Sequence, residues 1–472
     1  MLFPTITFTT FFLIFLFVWW GLLSEKTSPR VRQGVLLLAS VVFYAFADWR
    51  FVGVLLGVGL LTAYGTRWLD QSEGLARRFK GFSLVGLLVL HLIAWKYTQW
   101  MVVERNNLGE MWGWEAWVIP EWAYPVGLSF FTFHALALVV GVWHRRLKPD
   151  TVLATCAHIS FFPCLLAGPV LRGDSVAPRL KQQFVFADVP WLKAIGLIML
   201  GMTFKWVLST EAANWADPVF QGMGDSVSGV WLGVHGYAFQ IFFDFAGYSW
   251  MAIGVAMMSG FSLPDNFTQP YQAKTLQQFW RSWHRSLSFF FRDHFYIDTL
   301  GGNKHGAKVA LLSAFFTMLV SGVWHGANLT FVVWGAWHGV LLALEKYFPK
   351  HDRWPKFVSW LITFELVVWG WVWFRSEDVE SALRLFQQAF TNDLPLWSAF
   401  NGSVWVWLLA MALVIKYEQV FLAQWNKMSL VLDKSGASIA GSLAITIVLT
   451  VWACVIIGLG PVGVPPFIYN GF

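Results

Sequence analysis

The sequence predicts an all-α fold, a polytopic bundle of transmembrane helices. Three observations carry that prediction: composition, the recurrence of long apolar runs, and the alternation of charge between them. Of 472 residues, 57% are hydrophobic and 13% charged, whereas a soluble domain carries about a quarter charged residues. A bilayer core about 30 Å thick requires roughly 20 apolar residues per helix. Runs of that kind recur from residue 5 to residue 460, which leaves room for about a dozen crossings. The 31 Trp fit the same picture, since indole rings favour the boundary between headgroup and hydrocarbon.

The elements follow in chain order. The run from Thr5 to Leu23 has no basic residue before it and no small-residue cleavage pattern, so it reads as a first membrane helix rather than a cleaved signal. Further helices are expected near 33–47, 50–66, 81–98 and 125–143. Basic stretches alternate with acidic ones: Arg30 and Arg32, then Arg77, Arg78 and Lys80, then Arg145, Arg146 and Lys148, against Glu104, Glu110, Glu115 and Glu121. The bias of Lys and Arg toward the cytoplasm places the basic loops inside and the N-terminus outside.

Residues 152–171 break the pattern. They are apolar enough to cross, yet basic residues flank both ends, with Arg146 and Lys148 before them and Arg172, Arg179 and Lys181 after them. A re-entrant hairpin resolves the conflict: FFPCLLAGPV carries Pro163, Gly168 and Pro169, and broken backbone at membrane depth is tolerated where protein covers it. Crossings are then expected near 192–210, 229–260, 308–324, 328–347, 357–374, 403–420 and 437–460. Acidic loops holding Glu211, Asp217 and Asp225, and later Glu377, Asp378, Glu380 and Asp393, lie outside. Basic loops through Lys274 to Lys308, through Lys350, Arg353 and Lys356, and through Lys416, Lys427 and Lys434 lie inside. No internal repeat of the kind common in secondary transporters is visible, and the chain reads as one membrane domain over residues 1–472.

Composition also bounds the chemistry. The net charge of +6 is spread over loops without a long basic run, so membrane lipids rather than nucleic acid are the expected partners. Cys156, Cys164 and Cys454 lie in apolar surroundings and offer neither a disulfide frame nor a CxxC metal site. HEXXH, GxSxG, P-loop and dinucleotide patterns are absent, and no metal is expected.

Two clusters do not read as lipid-facing packing. Residues 265–306, DNFTQPYQAKTLQQFWRSWHRSLSFFFRDHFYIDTLGGNKHG, combine bulky aromatics with Arg281, His284, Arg285, Arg292, Asp293 and His294. At helical spacing Arg281, His284, Arg285 and Ser288 share one face and Trp280, Trp283 and Leu287 the neighbouring one, predicting an interfacial or partly buried amphipathic helix. For Arg285 or Lys304 alone, binding of lipid phosphates explains the charge equally well. A neutral imidazole offers one donor and one acceptor, and two Trp and a row of Arg around His284 suit an anionic, partly planar ligand. The second cluster is VSGVWHGANLTFVVWGAWHG, with His325 beside Trp324, Gly322, Gly326 and Asn328. Ionisable residues inside membrane segments are expensive and mark functional sites. His134, His158, His235 and His338 are read instead as hydrogen-bonded structural residues.

At these clusters the chain resembles the membrane-bound O-acyltransferase family, specifically its bacterial branch that acetylates polysaccharides such as alginate. The resemblance covers most of the chain and rests on PVGLSFFTFHAL at 125–136, FFPCLLAGPVLR at 161–172, QIFFDFAGYSWMAIG at 240–254, NFTQPYQA at 266–273, FWRSWHRSLSFFFRDHFYI at 279–297, LGGNKHG at 300–306 and SGVWHGA at 321–327. It implies a bundle of about 11–13 helices, with re-entrant and interfacial helices around a central tunnel, and a catalytic region at about 240–347. It also implies His325 as catalytic histidine and His284 as the second polar residue of the active site. Trp280, Arg281, Trp283, Ser286, Arg292, Trp324 and Asn328 are the expected substrate-binding residues.

The implied activity is transfer of acetyl from cytoplasmic acetyl-CoA, across the bacterial inner membrane, to an extracytoplasmic partner or an exopolysaccharide hydroxyl. The partner expected is a periplasmic acetyltransferase resembling SGNH hydrolases. In this scheme His325 is the general base, and His284 orients the donor or stabilises the oxyanion. D-alanyl or other acyl transfer to a cell-envelope polymer is the alternative within the class; a transporter of an acyl donor or a scaffold for glycan export is the alternative outside it. Two positions depart from the branch, which usually carries an acid where this chain has Gly141 and Trp250. Asp244 is expected to be a structural hydrogen-bond partner.

Overall fold

The computed structural model describes residues 3, 5–118, 124–223, 227–347, 354–391, 402–434, 439–461 and 463. Glu121, Asp225, Lys350, Arg353 and Asp393 of the predicted loops lie outside them. The described secondary structure is helical, as the apolar runs require: a backbone in hydrocarbon must satisfy its own hydrogen bonds. Seven helical stretches among the described residues are long and apolar enough to cross a membrane, and three more apolar helices, Ile6–Leu22, Leu128–Trp143 and Val152–Cys164, are shorter. The chain is therefore a multi-pass membrane protein.

The chain divides into two compact units. The first comprises Met1–Ala194 and Ala252–Pro264. Its helix α1, Ile6–Leu16, is capped by the Thr5 hydroxyl, which accepts from the Phe8 amide, and continues as a wide π turn over Phe17–Leu22. Helices α2, Pro29–Asp48, and α3, Val52–Asp70, are separated only by one 3₁₀ turn at Trp49–Phe51. The next helix, α4, runs Gly74–Trp112 and stops at Gly113, whose φ of 70° is left-handed; glycine takes this conformation without the clash a Cβ would bring. At 1.5 Å per residue its 39 residues span about 58 Å, well beyond the predicted 81–98, so the apolar centre is flanked by extramembrane turns. Helix α5, Leu128–Trp143, is buried along nearly its whole length.

Residues 152–171 do not form a spanning helix. Helix α6, Val152–Ile159, ends after two turns, a 3₁₀ turn follows at Phe162–Cys164, and the segment to Leu171 is buried throughout its irregular part. Buried, broken backbone is what Pro163, Gly168 and Pro169 led one to expect.

The second unit comprises Ile195–Met251 and Asp265–Phe472. Helix α7, Trp191–Met202, passes through a π turn into α8, Ser209–Pro218, and extends further than the predicted 192–210. Helix α9, Val227–Met258, is apolar on every face and mostly buried, the mark of a helix surrounded by protein rather than lipid. A pair of short helices follows, α10, Leu276–Ser282, and α11, Arg285–Phe290, and then a π turn to Ile297. The remaining helices are α12, Ala307–His325; α13, Leu329–Tyr347; α14, Lys356–Arg375; α15, Val379–Thr391; α16, Gly402–Lys434; and α17, Ile439–Leu459.

One expectation is corrected here. The amphipathic helix predicted through Arg281, His284, Arg285 and Ser288 is broken at its centre: His284 has φ 40° and ψ 55° and separates α10 from α11. Local spacing favoured a continuous helix, but the preceding loop intervenes. The Asn266 carbonyl accepts from the Arg285 amide at 2.9 Å, and the Thr268 amide donates to the Ser282 carbonyl at 3.0 Å. Tertiary hydrogen bonds thus replace the helical ones that the break forfeits.

Candidate active site

The antiparallel pair α12 and α13 positions His325. Gly322 and Gly335 face each other so closely that a Cβ on Gly322 would lie 2.3 Å from the Phe331 carbonyl oxygen and 3.0 Å from the Gly335 Cα. Small residues permit this backbone approach. It leaves His325 at the last residue of α12, only 6% exposed, within a collar of rings. Trp324 lies at 4.6 Å between centroids, Trp334 at 5.0 Å and Phe374 at 5.0 Å, all edge-on.

His284 reaches the same region from the break between α10 and α11. It is 3% exposed. Phe245 stands edge-on to its ring at 4.6 Å, and its Nδ1 lies 3.2 Å from Asn266 Oδ1. Burial lowers its pKa from the ordinary imidazole value, because desolvation disfavours the charged ring. Trp283 packs against Trp371 at 4.9 Å, Trp371 against Trp334 at 5.9 Å, and Trp334 against His325. A continuous aromatic wall therefore connects the two histidines.

Both histidines line one cavity of about 710 Å³. Of the other residues singled out in the sequence, Trp280, Arg281, Trp283 and Arg292 also line it. Ser286, Trp324 and Asn328 are not among its lining residues. The Ser286 hydroxyl donates to Asn266 Oδ1 at 2.8 Å, and Trp324 stacks edge-on against His325. Asn328 accepts from the Thr330 amide in the turn between α12 and α13 and donates to the Glu377 carbonyl, tying that turn to the one between α14 and α15.

Cationic groups from four elements, Arg281, Arg292, Lys304 and Lys346, share the cavity with the single carboxylate of Glu345, giving it a net positive lining suited to an anionic substrate. Glu345 is itself engaged: its carboxylate accepts from the Leu276 and Gln277 amides, at 2.5 and 3.2 Å, and so caps α10. The sequence did not single out Glu345, Trp334, Trp371 or Asn266. Asn266 and Trp334 stood inside quoted stretches but had no local sign of their roles; Glu345 and Trp371 become neighbours only through tertiary packing.

The remaining histidines differ among themselves. His235 is hydrogen-bonded to the Trp231 carbonyl and to Glu365, and His134 to the Ile159 carbonyl. For His158 and His338 neither ring nitrogen has a hydrogen-bond partner among the described residues, so these two are not the satisfied residues expected. Asp244 is the partner of Lys205 in a buried ion pair. At the two departures from the branch, the space beside Gly141 is taken by Leu147, and Trp250 packs edge-on against Phe204 at 4.7 Å. Neither lines the cavity. Among the described residues no group of three or more His, Cys, Asp or Glu is placed to hold a metal ion.

Comparison with known proteins shows the family. Residues 144–375, which include both histidines, match the membrane-bound O-acyltransferase family. The chain is 35% identical over 418 residues to a probable alginate O-acetylase of Pseudomonas aeruginosa, covering 86% of this chain and 79% of the relative. It is 29% identical over 400 residues to a peptidoglycan O-acetyltransferase of Helicobacter pylori, covering 76% and 74%. To a teichoic acid D-alanyltransferase of Bacillus subtilis it is 28% identical over 274 residues, 53% of this chain and 69% of the relative. With that identity and coverage, the chain belongs to the membrane-bound O-acyltransferase family, in the branch of the alginate O-acetylases, and is an O-acyltransferase.

Proposed function

We propose that this enzyme takes an acetyl group from cytoplasmic acetyl-CoA and passes it, within the cavity holding His284 and His325, to an extracytoplasmic partner or the hydroxyl of an exopolysaccharide. The observation that carries this reading is that two histidines 41 residues apart in sequence line one cavity with four cationic side chains. A thioester donor carrying phosphates needs such a lining; an apolar permeation path does not. Catalysis belongs to the region at 240–347 of a single membrane domain spanning 1–472, placed in the bacterial inner membrane with acidic loops outward. A central tunnel would give the donor access from one side and the acceptor from the other.

His325 acts as the general base. Its imidazole removes the proton of the acceptor hydroxyl as the oxygen attacks the thioester carbonyl; the C–S bond then breaks and the CoA sulfur leaves as the thiol, taking that proton from the imidazolium. Help of this kind is worth about 10²- to 10⁴-fold. His284 is the second polar residue at the reacting groups. Arg281, Arg292, Lys304 and Lys346 hold the donor's phosphates as charge-assisted hydrogen-bond donors, and Trp280 and Trp283 supply flat apolar walls. The acceptor is a polysaccharide, reached through a periplasmic acetyltransferase partner of SGNH-hydrolase type. Similarity to peptidoglycan and alginate O-acetylating relatives supports acetyl as the group moved. D-alanyl transfer is the alternative, supported by the shorter match to teichoic acid D-alanyltransferases.

The test is release of free thiol from acetyl-CoA by membranes containing the protein, its partner and the glycan. The wild type should release thiol in step with glycan acetylation, and His325→Ala should lose about 10²- to 10⁴-fold. A transporter would move donor without freeing thiol. Full acetylation by His325→Ala removes the base assignment.

A further inference from the structure

We propose that Asn266 is a positioning residue that fixes His284 as the Nδ1–H tautomer, so that the ring presents Nε2 to the cavity as a hydrogen-bond acceptor. The inference rests on the reading of His284 as part of the transfer site, and it assigns to that residue a direction of hydrogen bonding that its mere presence leaves open.

The argument begins with the amide. Asn266 is fully buried, and its side chain touches only groups of known or deducible polarity. The Ser286 backbone N–H can only donate, and it lies 3.3 Å from Oδ1. The Ser286 hydroxyl donates to the same oxygen at 2.8 Å. On the opposite side Nδ2 donates to the Ser249 hydroxyl oxygen at 3.1 Å. Exchanging the amide oxygen and nitrogen would set two donors face to face at Ser286, so the amide has one acceptable orientation. The atom 3.2 Å from His284 Nδ1 is therefore an acceptor; the Ser286 hydroxyl, 3.5 Å from the same nitrogen, already gives its proton to Oδ1 at 2.8 Å, so Nδ1 carries the proton. A neutral imidazole has one N–H, which leaves Nε2 as the bare nitrogen.

The backbone secures the same arrangement. His284 adopts the left-handed region at φ 40°, where a non-glycine residue persists only if its surroundings over-determine it. Asn266 supplies that determination twice, through its side chain to Nδ1 and through its carbonyl to the Arg285 amide at 2.9 Å.

A consequence follows for the chemistry. A neutral His284 in this tautomer has no N–H to offer an oxyanion from Nε2; it accepts a hydrogen bond from an N–H or O–H of the substrate. Of the two roles open to His284 on sequence grounds, orientation of substrate remains and oxyanion stabilisation by the neutral ring does not.

The decisive experiment is ¹⁵N NMR of the full-length protein labelled at histidine, with His284→Ala used to assign the resonance. The expected spectrum shows a protonated Nδ1 and an unprotonated Nε2 for His284; the reverse overturns the proposal. Two variants add kinetic readouts. Asn266→Asp sets a carboxylate against the Nδ1–H, which favours the imidazolium, so the acid limb of the pH–rate profile should move to higher pH. The other titratable or charged groups lining the cavity, Arg281, Arg292, Lys304, Glu345, Lys346, Tyr296 and His325, are unchanged between the two proteins. An unmoved limb counts against the contact. Asn266→Ala should lower kcat by about 10- to 100-fold, the loss that follows when the partner orienting a metal-bound imidazole is removed, with KM for acetyl-CoA nearly unchanged. An equal rise in KM with intact kcat would refute a positioning role. Should Asn266→Ala fail to fold, the wild-type spectrum and the Asn266→Asp profile still decide. Full activity in His284→Ala would dismiss His284 from the transfer site, whereas the tautomer stands or falls on the spectrum alone.

Discussion

Replacing Gly322 by Ala tests whether helix spacing, rather than the histidine alone, sets the reaction geometry. The added Cβ would lie 2.3 Å from the Phe331 carbonyl oxygen, about 1.1 Å short of the 3.4 Å at which ordinary contact begins. That neighbour is backbone and cannot rotate away, so α12 and α13 must separate by about 1 Å. Overpacking of this kind costs about 1–3 kcal/mol. The displaced residue that matters is His325, three positions further along α12, and misplacement of a reacting group by about 1 Å costs about 10²-fold in rate. The assay is thiol release from acetyl-CoA at saturating donor, with thermal unfolding in detergent to follow stability. Gly86→Ala is the control, since a Cβ at Gly86 meets nothing within 4 Å; it should leave the rate unchanged. A Gly322→Ala protein with wild-type rate and stability would show that this contact does not determine the position of His325.

Glu345→Gln weakens the cap on α10, and should cost about 1 kcal/mol while raising KM for the donor, because α10 carries Trp280 and Arg281 into the cavity; steady-state kinetics that leave KM unaltered contradict it. Lys205→Met strands the Asp244 carboxylate and should destabilise by about 3–5 kcal/mol, whereas the double replacement Lys205→Met with Asp244→Leu should recover much of the loss. Denaturation in detergent separates the two outcomes, and a double variant no more stable than the single one refutes the pairing.

The helical membrane fold was legible because hydrocarbon imposes a long-range rule on local composition: each crossing needs its own apolar run. The interruption at 152–171 was legible for the same reason, through charge on both flanks and prolines within. Helix ends were less so, and α4 shows why. Its polar extensions satisfy helix propensity outside the membrane, where hydropathy carries no signal. The break at His284 was not legible, since Arg281, Arg285 and Ser288 keep perfect helical spacing; the loop at 266–268 that breaks the helix forms its bonds across tertiary distance. The two histidines themselves were visible because an imidazole among apolar residues requires a reason. Their supports, Asn266 and the wall of Trp334 and Trp371, are ordinary buried residues in sequence and acquire meaning only by proximity.

The end of α5, just past Gly141, is met by a buried arginine from α4. Arg77 is buried, and a buried guanidinium ordinarily calls for a carboxylate. Here its charge is met by carbonyls instead: that of Leu69 in the last turn of α3, that of Ser72 just past it, and those of Val142 and Trp143 at the end of α5. These are the groups a helix leaves unsatisfied at its C-terminus, where the helix dipole also favours a cation. Two helix ends thus supply the acceptors that a carboxylate would otherwise provide. Arg77→Ala would take the side-chain donor from all four; Leu69 and Val142 keep the Ser72 and Arg145 amides, so the loss, about 1–3 kcal/mol for a carbonyl that water cannot reach, falls on Ser72 and Trp143 and should lower the unfolding temperature beyond what loss of a surface arginine does. Because Arg77 is not among the residues lining the histidine cavity, kcat per folded molecule should be preserved. Loss of kcat with stability intact would place Arg77 in the reaction instead.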